Sequence, residues 1–323
     1  MFSLTDQQVE IFFDKGWIKI ESAIPKELTE KAVELIWEEL YKNWGLLQDD
    51  KSTWQNDFYL LKENYSEGIF RECSTTRLID SIHCLLGKDR LELDYNKLGI
   101  PFGWWPINLG LGRDREWTVP AGGWHWDGMH FINRVDSKEQ GLILIAYFTN
   151  VETKGGATLV AEGSHKLVTN FLSQYPEGLE YKDAIPLFNR SHPWIRELTN
   201  SQTDISESDK KIIVTTDQIL SENDHTLSND RVKRFMEEEY IDSNGINLRV
   251  VEVLGQAGDV FLCHPFLYHC GSPNHSGNPR IMCNLNTPLK APISLSRDST
   301  TKHTLLEISI LKALEQFQVQ SGN

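Results

Sequence analysis

Apolar residues recur three and four positions apart through the first part of the chain, then give way to short unbroken apolar runs. The first spacing is that of a helix with one buried face, and the second that of buried strands. Thr5-Asp6-Gln7-Gln8 has the form of a capping box; Val9, Phe12 and Phe13 follow on one face, with Gly16 as a stop. Trp17-Ile18-Lys19-Ile20 then reads as a short strand. Pro25 suits the first turn of a second helix, which would bury Val33, Ile36, Trp37, Leu40, Tyr41 and Trp44. Residues 66–88 continue the pattern as one further helix or a pair.

From about residue 97 turn residues punctuate short strands. Leu142–Phe148 is a continuous apolar run, the signature of a strand covered on both faces. Gly155-Gly156 separates it from Ala157–Ala161, which predicts a hairpin. Further strands are expected at 249–253, 259–264 and 280–286. Residues 166–248 form a long polar insertion with the charged run Ser206–Lys211, either a lid or a surface elaboration. Leu305, Ile308, Leu311 and Leu314 mark one side of a closing amphipathic helix. No repeat or low-complexity linker interrupts the chain, so the pattern predicts an α+β protein. Helices would flank a β-rich centre within one domain, 1–323.

Composition narrows the function. A chain of 323 residues with 40% hydrophobic residues can bury a large core. A net charge of −14 argues against nucleic acid, whose binding rests on Lys and Arg meeting phosphates. A small-molecule partner is expected instead. No apolar run reaches the roughly 18 residues of a membrane span, so no membrane association is expected. No basic-then-apolar leader opens the sequence, so the expected location is cytoplasmic. The five cysteines, Cys73, Cys84, Cys263, Cys270 and Cys283, include no Cys-x2-Cys pair. Cys263 and Cys283 lie in apolar runs and read as small buried hydrophobes.

The candidate chemistry begins at Gly123-Trp124-His125-Trp126-Asp127-Gly128. In a strand, residues two apart point to the same side, so an imidazole and a carboxylate would be offered to one point. Two His and one carboxylate on one face is the set a non-haem Fe(II) oxygenase uses, with coordination positions left open. Alone, His-x-Asp is a weak signal. A second segment raises its value: Gly258–His269 ends a strand in a histidine, and Arg280 follows a turn rich in Gly, Pro, Asn and Ser. A hairpin there would set Arg280 beside the histidine strand, and its planar fork suits a carboxylate.

Together these residues resemble the phytanoyl-CoA dioxygenase family of Fe(II)/2-oxoglutarate oxygenases. The likeness runs from Leu4–Val9 and Gly16-Trp17 through His125-x-Asp127, Gly155-Gly156-Ala157-Thr158 and Gly163-Ser164-His165-Lys166 to His269 and Arg280. It is weakest over residues 170–248. The resemblance implies a double-stranded β-helix (jelly-roll, cupin-like) core, Fe(II) as metal, and 2-oxoglutarate and O2 as co-substrates. It implies His125, Asp127 and His269 as ligands and Arg280 as the anchor of the distal carboxylate. His264 and His275 compete for the ligand role, but only His269 leaves Arg280 at the start of the next strand. Gly271 stands where the family often has Ser, so Ser272 is a substitute contact, with Asn108 a further one. His130, Trp126 and His264 are the candidate substrate contacts, and His165 is read as stabilising a turn. An intact Asp127 favours hydroxylation over halogenation. Desaturation, epoxidation or cyclisation at the same site remain open, as does a non-catalytic jelly-roll binding protein. A zinc hydrolase would leave Arg280 without a role.

Overall fold

A computed structural model describes residues 3–201, 231–296, 298 and 302–321. Helix α1 (Asp6–Lys15) opens as expected: the Thr5 hydroxyl accepts from Gln8 N while the Gln8 side chain accepts from Thr5 N. Gly16, at φ 84°, ends it in the left-handed conformation that suits glycine. Strand β1 (Trp17–Ile20) and helix α2 (Lys26–Trp44) follow, with Ile36, Trp37 and Leu40 buried. Tyr41 and Trp44, placed on that face by their spacing, stay exposed at the end of the helix, where the Trp44 ring lies against Tyr59, 5.2 Å between ring centroids. Then come β2 (Phe58–Leu61), α3 (Ile69–Cys73), α4 (Thr76–Leu86), α5 (Tyr95–Leu98), β3 (Trp105–Asn108), β4 (Ile143–Tyr147) and β5 (Leu159–Glu162). Helices α6 (Ser164–Ser173), α7 (Tyr181–Ser191) and α8 (Pro193–Leu198) precede β6 (Tyr240–Ile241), β7 (Asn247–Glu252), β8 (Val260–Cys263), β9 (His269–Cys270) and β10 (Met282–Asn286). Helix α9 (Leu305–Ser321) closes the chain. Among the described residues no helix is long and apolar enough to cross a membrane.

Two four-stranded antiparallel sheets carry the centre, in the orders β1-β8-β4-β10 and β6-β7-β5-β9, and β2 pairs with β3. Ile143, Ile145, Tyr147, Phe261, Cys263 and Met282 of the first sheet share one apolar core with Val160 of the second. The alternate residues Leu144, Ala146, Val260 and Leu262 join the larger core that includes the helices. Strand β4 is thus covered on both faces, the physical reason for its unbroken apolar run.

Both hairpins expected from turn residues are corrected. Strands β4 and β5 lie in different sheets, so Gly155-Gly156 is a crossing and not a hairpin. Gly156 has φ 77°, and a Cβ there would come within 2.9 Å of Asn108 Nδ2, so the crossing needs glycine. Likewise His269 pairs through β9 with β5, while Arg280 bridges Asn108 just ahead of β10, which pairs with β4. The turn between them also changes sheet. Turn residues permit a reversal but do not choose the partner strand.

The charged run Ser206–Lys211 lies outside the described residues. The described part of the 166–248 segment is not a surface addition: Leu167, Phe171, Ile185, Phe188, Trp194 and Ile195 are all buried. On α9 the buried stripe is Leu306, Ile310 and Ala313, rotated from the expected Leu305, Ile308, Leu311 and Leu314, which are only partly buried. The rotation turns Glu307 inward, where it meets Arg90 at 2.5 Å.

Candidate metal centre

His125 and His269 come together through backbone, each N–H donating to the other's carbonyl at 2.9 and 2.8 Å. This is an isolated bridge and not the regular strand expected for 125–127. The alternation of sides nonetheless survives: Trp124 and Trp126 are buried, while His125 and Asp127 are only partly so. The two imidazole rings lie 4.3 Å apart. Asp127 Oδ1 stands 3.6 Å from His125 Nε2 and 3.7 Å from His269 Nε2. Two atoms bound to one ion at ~2.1 Å stand about 3.0–3.4 Å apart, so the two Asp127–histidine distances exceed that spacing by only a few tenths of an ångström, and all three donor atoms lie within 4.8 Å of one another.

Tautomers follow from the neighbours. His125 Nδ1 lies 2.7 Å from Gly123 O and His269 Nδ1 3.0 Å from Leu267 O. A carbonyl only accepts, so each Nδ1 carries the proton and each Nε2 presents a lone pair towards Asp127. This is how metal-binding histidines are commonly held. Burial, then the neighbouring His269, brings His125 down to about 4 against the pull of Asp127. The ring is therefore neutral at pH 7, as a ligand must be. Among the described residues these three form the group able to hold a metal ion.

Arg280 is 3% exposed. Its two terminal nitrogens donate to Gly156 O at 2.8 Å and Pro106 O at 3.0 Å, and its Nε has no partner. Burial pulls it down to about 10, with Tyr147 acting in the opposite sense. Among the described residues no carboxylate pairs with it. A buried guanidinium lacking a counter-ion is costly, and an incoming carboxylate would relieve that cost. The donor set and the orphaned guanidinium therefore fit Fe(II) and a dicarboxylate co-substrate.

No family model matches the chain, and no curated protein does either. Its fold is similar to that of HygX from Streptomyces hygroscopicus, solved with nickel and 2-oxoglutarate bound: 12% identity, 94% of this chain and 96% of that one, TM-score 0.47. It is also similar to the non-heme alpha ketoglutarate dependent epimerase SnoN from nogalamycin biosynthesis (11% identity, 93% and 91%, TM-score 0.44). The carbocyclase SnoK of the same biosynthesis matches at 13% identity, 87% and 82%, TM-score 0.38. Superpositions this loose carry no weight for the site, which stands on its own geometry.

The other expected contacts fall differently. Trp126 has no exposed surface; its indole donates to Asn133 Oδ1 and its ring packs on Phe188, so it backs the His125–Asp127 segment and offers a substrate no surface. His264 is equally buried, ringed by Phe12, His165 and Phe266, and offers a substrate no exposed surface. The Ser272 hydroxyl donates to Ala157 O at 2.7 Å, and Asn108 holds Ser272 O while accepting from Gly110 N and Leu111 N. Both stabilise the turns that carry Gly156 and Arg280, and the Ser272 proton is already committed. His130 is exposed on the loop after Asp127, between the exposed Met129 and Phe131-Ile132. Sequence reasoning did not assign Cys263 and Tyr181 to the site; both are buried and, like His125, lie close enough to feel the Asp127 charge. Alternation with Phe261 along β8 could have turned Cys263 inward; nothing local could have brought Tyr181 to the site.

Proposed function

We propose that this chain is an Fe(II)/2-oxoglutarate-dependent oxygenase of the double-stranded β-helix type, resembling the phytanoyl-CoA dioxygenase family, that hydroxylates a C–H bond of a small organic substrate. The observation that carries the reading is the pairing of a tautomer-locked His125–Asp127–His269 face with a buried guanidinium that has no counter-ion. When bound, the metal supplies O2 activation coupled to oxidative decarboxylation of 2-oxoglutarate to succinate and CO2.

The protein's own part is positioning. His125 and His269 present Nε2, and Asp127 presents one oxygen with its charge. Arg280 takes the distal carboxylate through a charge-assisted pair. Tyr147, Phe261, Cys263 and Met282 pack as an apolar core between the sheets, surroundings in which a charge pair made by Arg280 would be little screened by water. His130 is the candidate substrate contact that remains accessible. A non-catalytic binding protein has no need for the buried Arg280. Five cysteines, an odd number with no Cys-x2-Cys pair, support a cytosolic setting.

Anaerobic addition of Fe(II) and 2-oxoglutarate should give the visible charge-transfer absorption of a chelated Fe(II)–ketoacid pair. Exposure to O2 should then release succinate. Asp127→Ala should abolish both. Succinate release unchanged in that variant would refute the ligand assignment.

A further inference from the structure

Each histidine ligand is flanked in the chain by a large aromatic residue on the opposite side: Trp124 and Trp126 around His125, Tyr268 before His269. These side chains form one layer behind the metal face. Trp124 stacks on Tyr268 with centroids 6.0 Å apart and planes at 23°, and Trp126 lies 6.1 Å from the same ring. The layer closes on α7: Phe188 meets Trp126 edge-on at 5.4 Å and Tyr268 at 5.0 Å.

Polar contacts pin the layer. The Tyr268 hydroxyl donates to Asn189 Oδ1, both side chains being buried. The Trp126 indole donates at 2.9 Å to Asn133, whose backbone pairs with Leu179 at 2.8 and 3.0 Å. The Tyr268 backbone N–H is held by Ser164 Oγ at 2.9 Å. Every one of these anchors outside the ligand segments, Asn133 excepted, lies between residues 164 and 189.

We propose that Asn189 is a positioning residue for the metal centre, acting on His269 through Tyr268, and that α7 is the frame that sets the ligand geometry. This rests on the metal-site reading above. The physical reason is rigidity: a phenol fixed at its ring and its hydroxyl leaves the next residue's backbone no freedom to swing His269 Nε2 away from Asp127. Removing the hydroxyl frees that motion and leaves the Asn189 amide without its donor.

The test is Co(II) binding to the full chain, followed by visible absorption and calorimetry with no co-substrate present. Tyr268→Phe deletes a single oxygen and Asn189→Leu removes the acceptor. Each should weaken Co(II) binding by about 10- to 100-fold and change the absorption intensity that reports ligand geometry. The double variant should be no worse than either single one, because both remove the same bond. If Asn189→Leu does not fold, Tyr268→Phe carries the test. Wild-type Co(II) affinity and spectrum in Tyr268→Phe, with only the melting temperature lowered, would reduce Asn189 to a packing role and overturn the proposal. Failure of the unaltered protein to bind Co(II) would instead overturn the metal-site reading itself.

Discussion

Arg280→Met separates the anchor role of Arg280 from its structural role. Burial lowers the guanidinium from its ordinary value to about 10, which corresponds to a penalty on the charged form of about 3 kcal/mol. Methionine removes that penalty and nearly fills the space. It also leaves the carbonyls of Gly156 and Pro106 without their donors, at roughly 1–3 kcal/mol each. These terms oppose one another, so the protein without co-substrate should keep its stability to within about 3 kcal/mol. Binding of 2-oxoglutarate has no such compensation. Truncating one partner of a buried charge pair costs about 2–5 kcal/mol, equivalent to a roughly 30- to 5,000-fold loss of affinity. Arg280→Lys keeps the charge but loses the fork and should fall between the two. Anaerobic titration of the Fe(II) protein with 2-oxoglutarate, read by charge-transfer absorption, measures the affinity, and calorimetric melting measures stability. An affinity within a few-fold of the parent in Arg280→Met would refute the anchor role.

Acid stability offers an independent check. Burial, then Lys166, brings His165 down to about 3 while its Nε2 donates to Phe13 O at 3.0 Å. The unfolded chain therefore binds a proton there below about pH 6.5 that the folded chain refuses until about pH 3. Stability should fall as pH drops through that window, by roughly 1.4 kcal/mol from this residue at pH 5.5. Denaturant unfolding of His165→Gln at pH 7 and 5.5 should show that part of the slope gone; an unchanged slope would count against a neutral buried His165. At the other end of the chain, burial raises Glu307, but hydrogen bonds from Thr304 N, Ser294 N and Arg90 hold it lower overall. Arg90→Ala leaves that 1%-exposed carboxylate without its cation and should cost about 3 kcal/mol in urea unfolding. A loss below ~1 kcal/mol would show that the two backbone donors suffice.

Features that depend on near neighbours along the chain are legible in the residues alone. Thr5 and Gln8 are three residues apart, so their capping box is a local geometry. The two-sided cover of β4 is written in its unbroken apolar run. The His125-x-Asp127 spacing holds even where the regular strand does not, because alternation needs only extended backbone. Long-range pairing is not legible. Gly155-Gly156 and the turn before Arg280 announce reversals, yet both carry the chain from one sheet to the other. A turn's preferences end at its own residues, and the partner strand is chosen by the whole core. The same limit explains Trp126 and His264: polarity and nearness to a motif suggest contact with substrate, but burial is decided by what packs from elsewhere. On α9 a stripe one residue over is chosen by α4 and α6, against which the helix packs. Residue identity determined which atoms could hold a metal. Only the tertiary structure brought His269 to His125, left Arg280 without a counter-ion, and set α7 behind the ligands, since each of these joins residues that are remote along the chain.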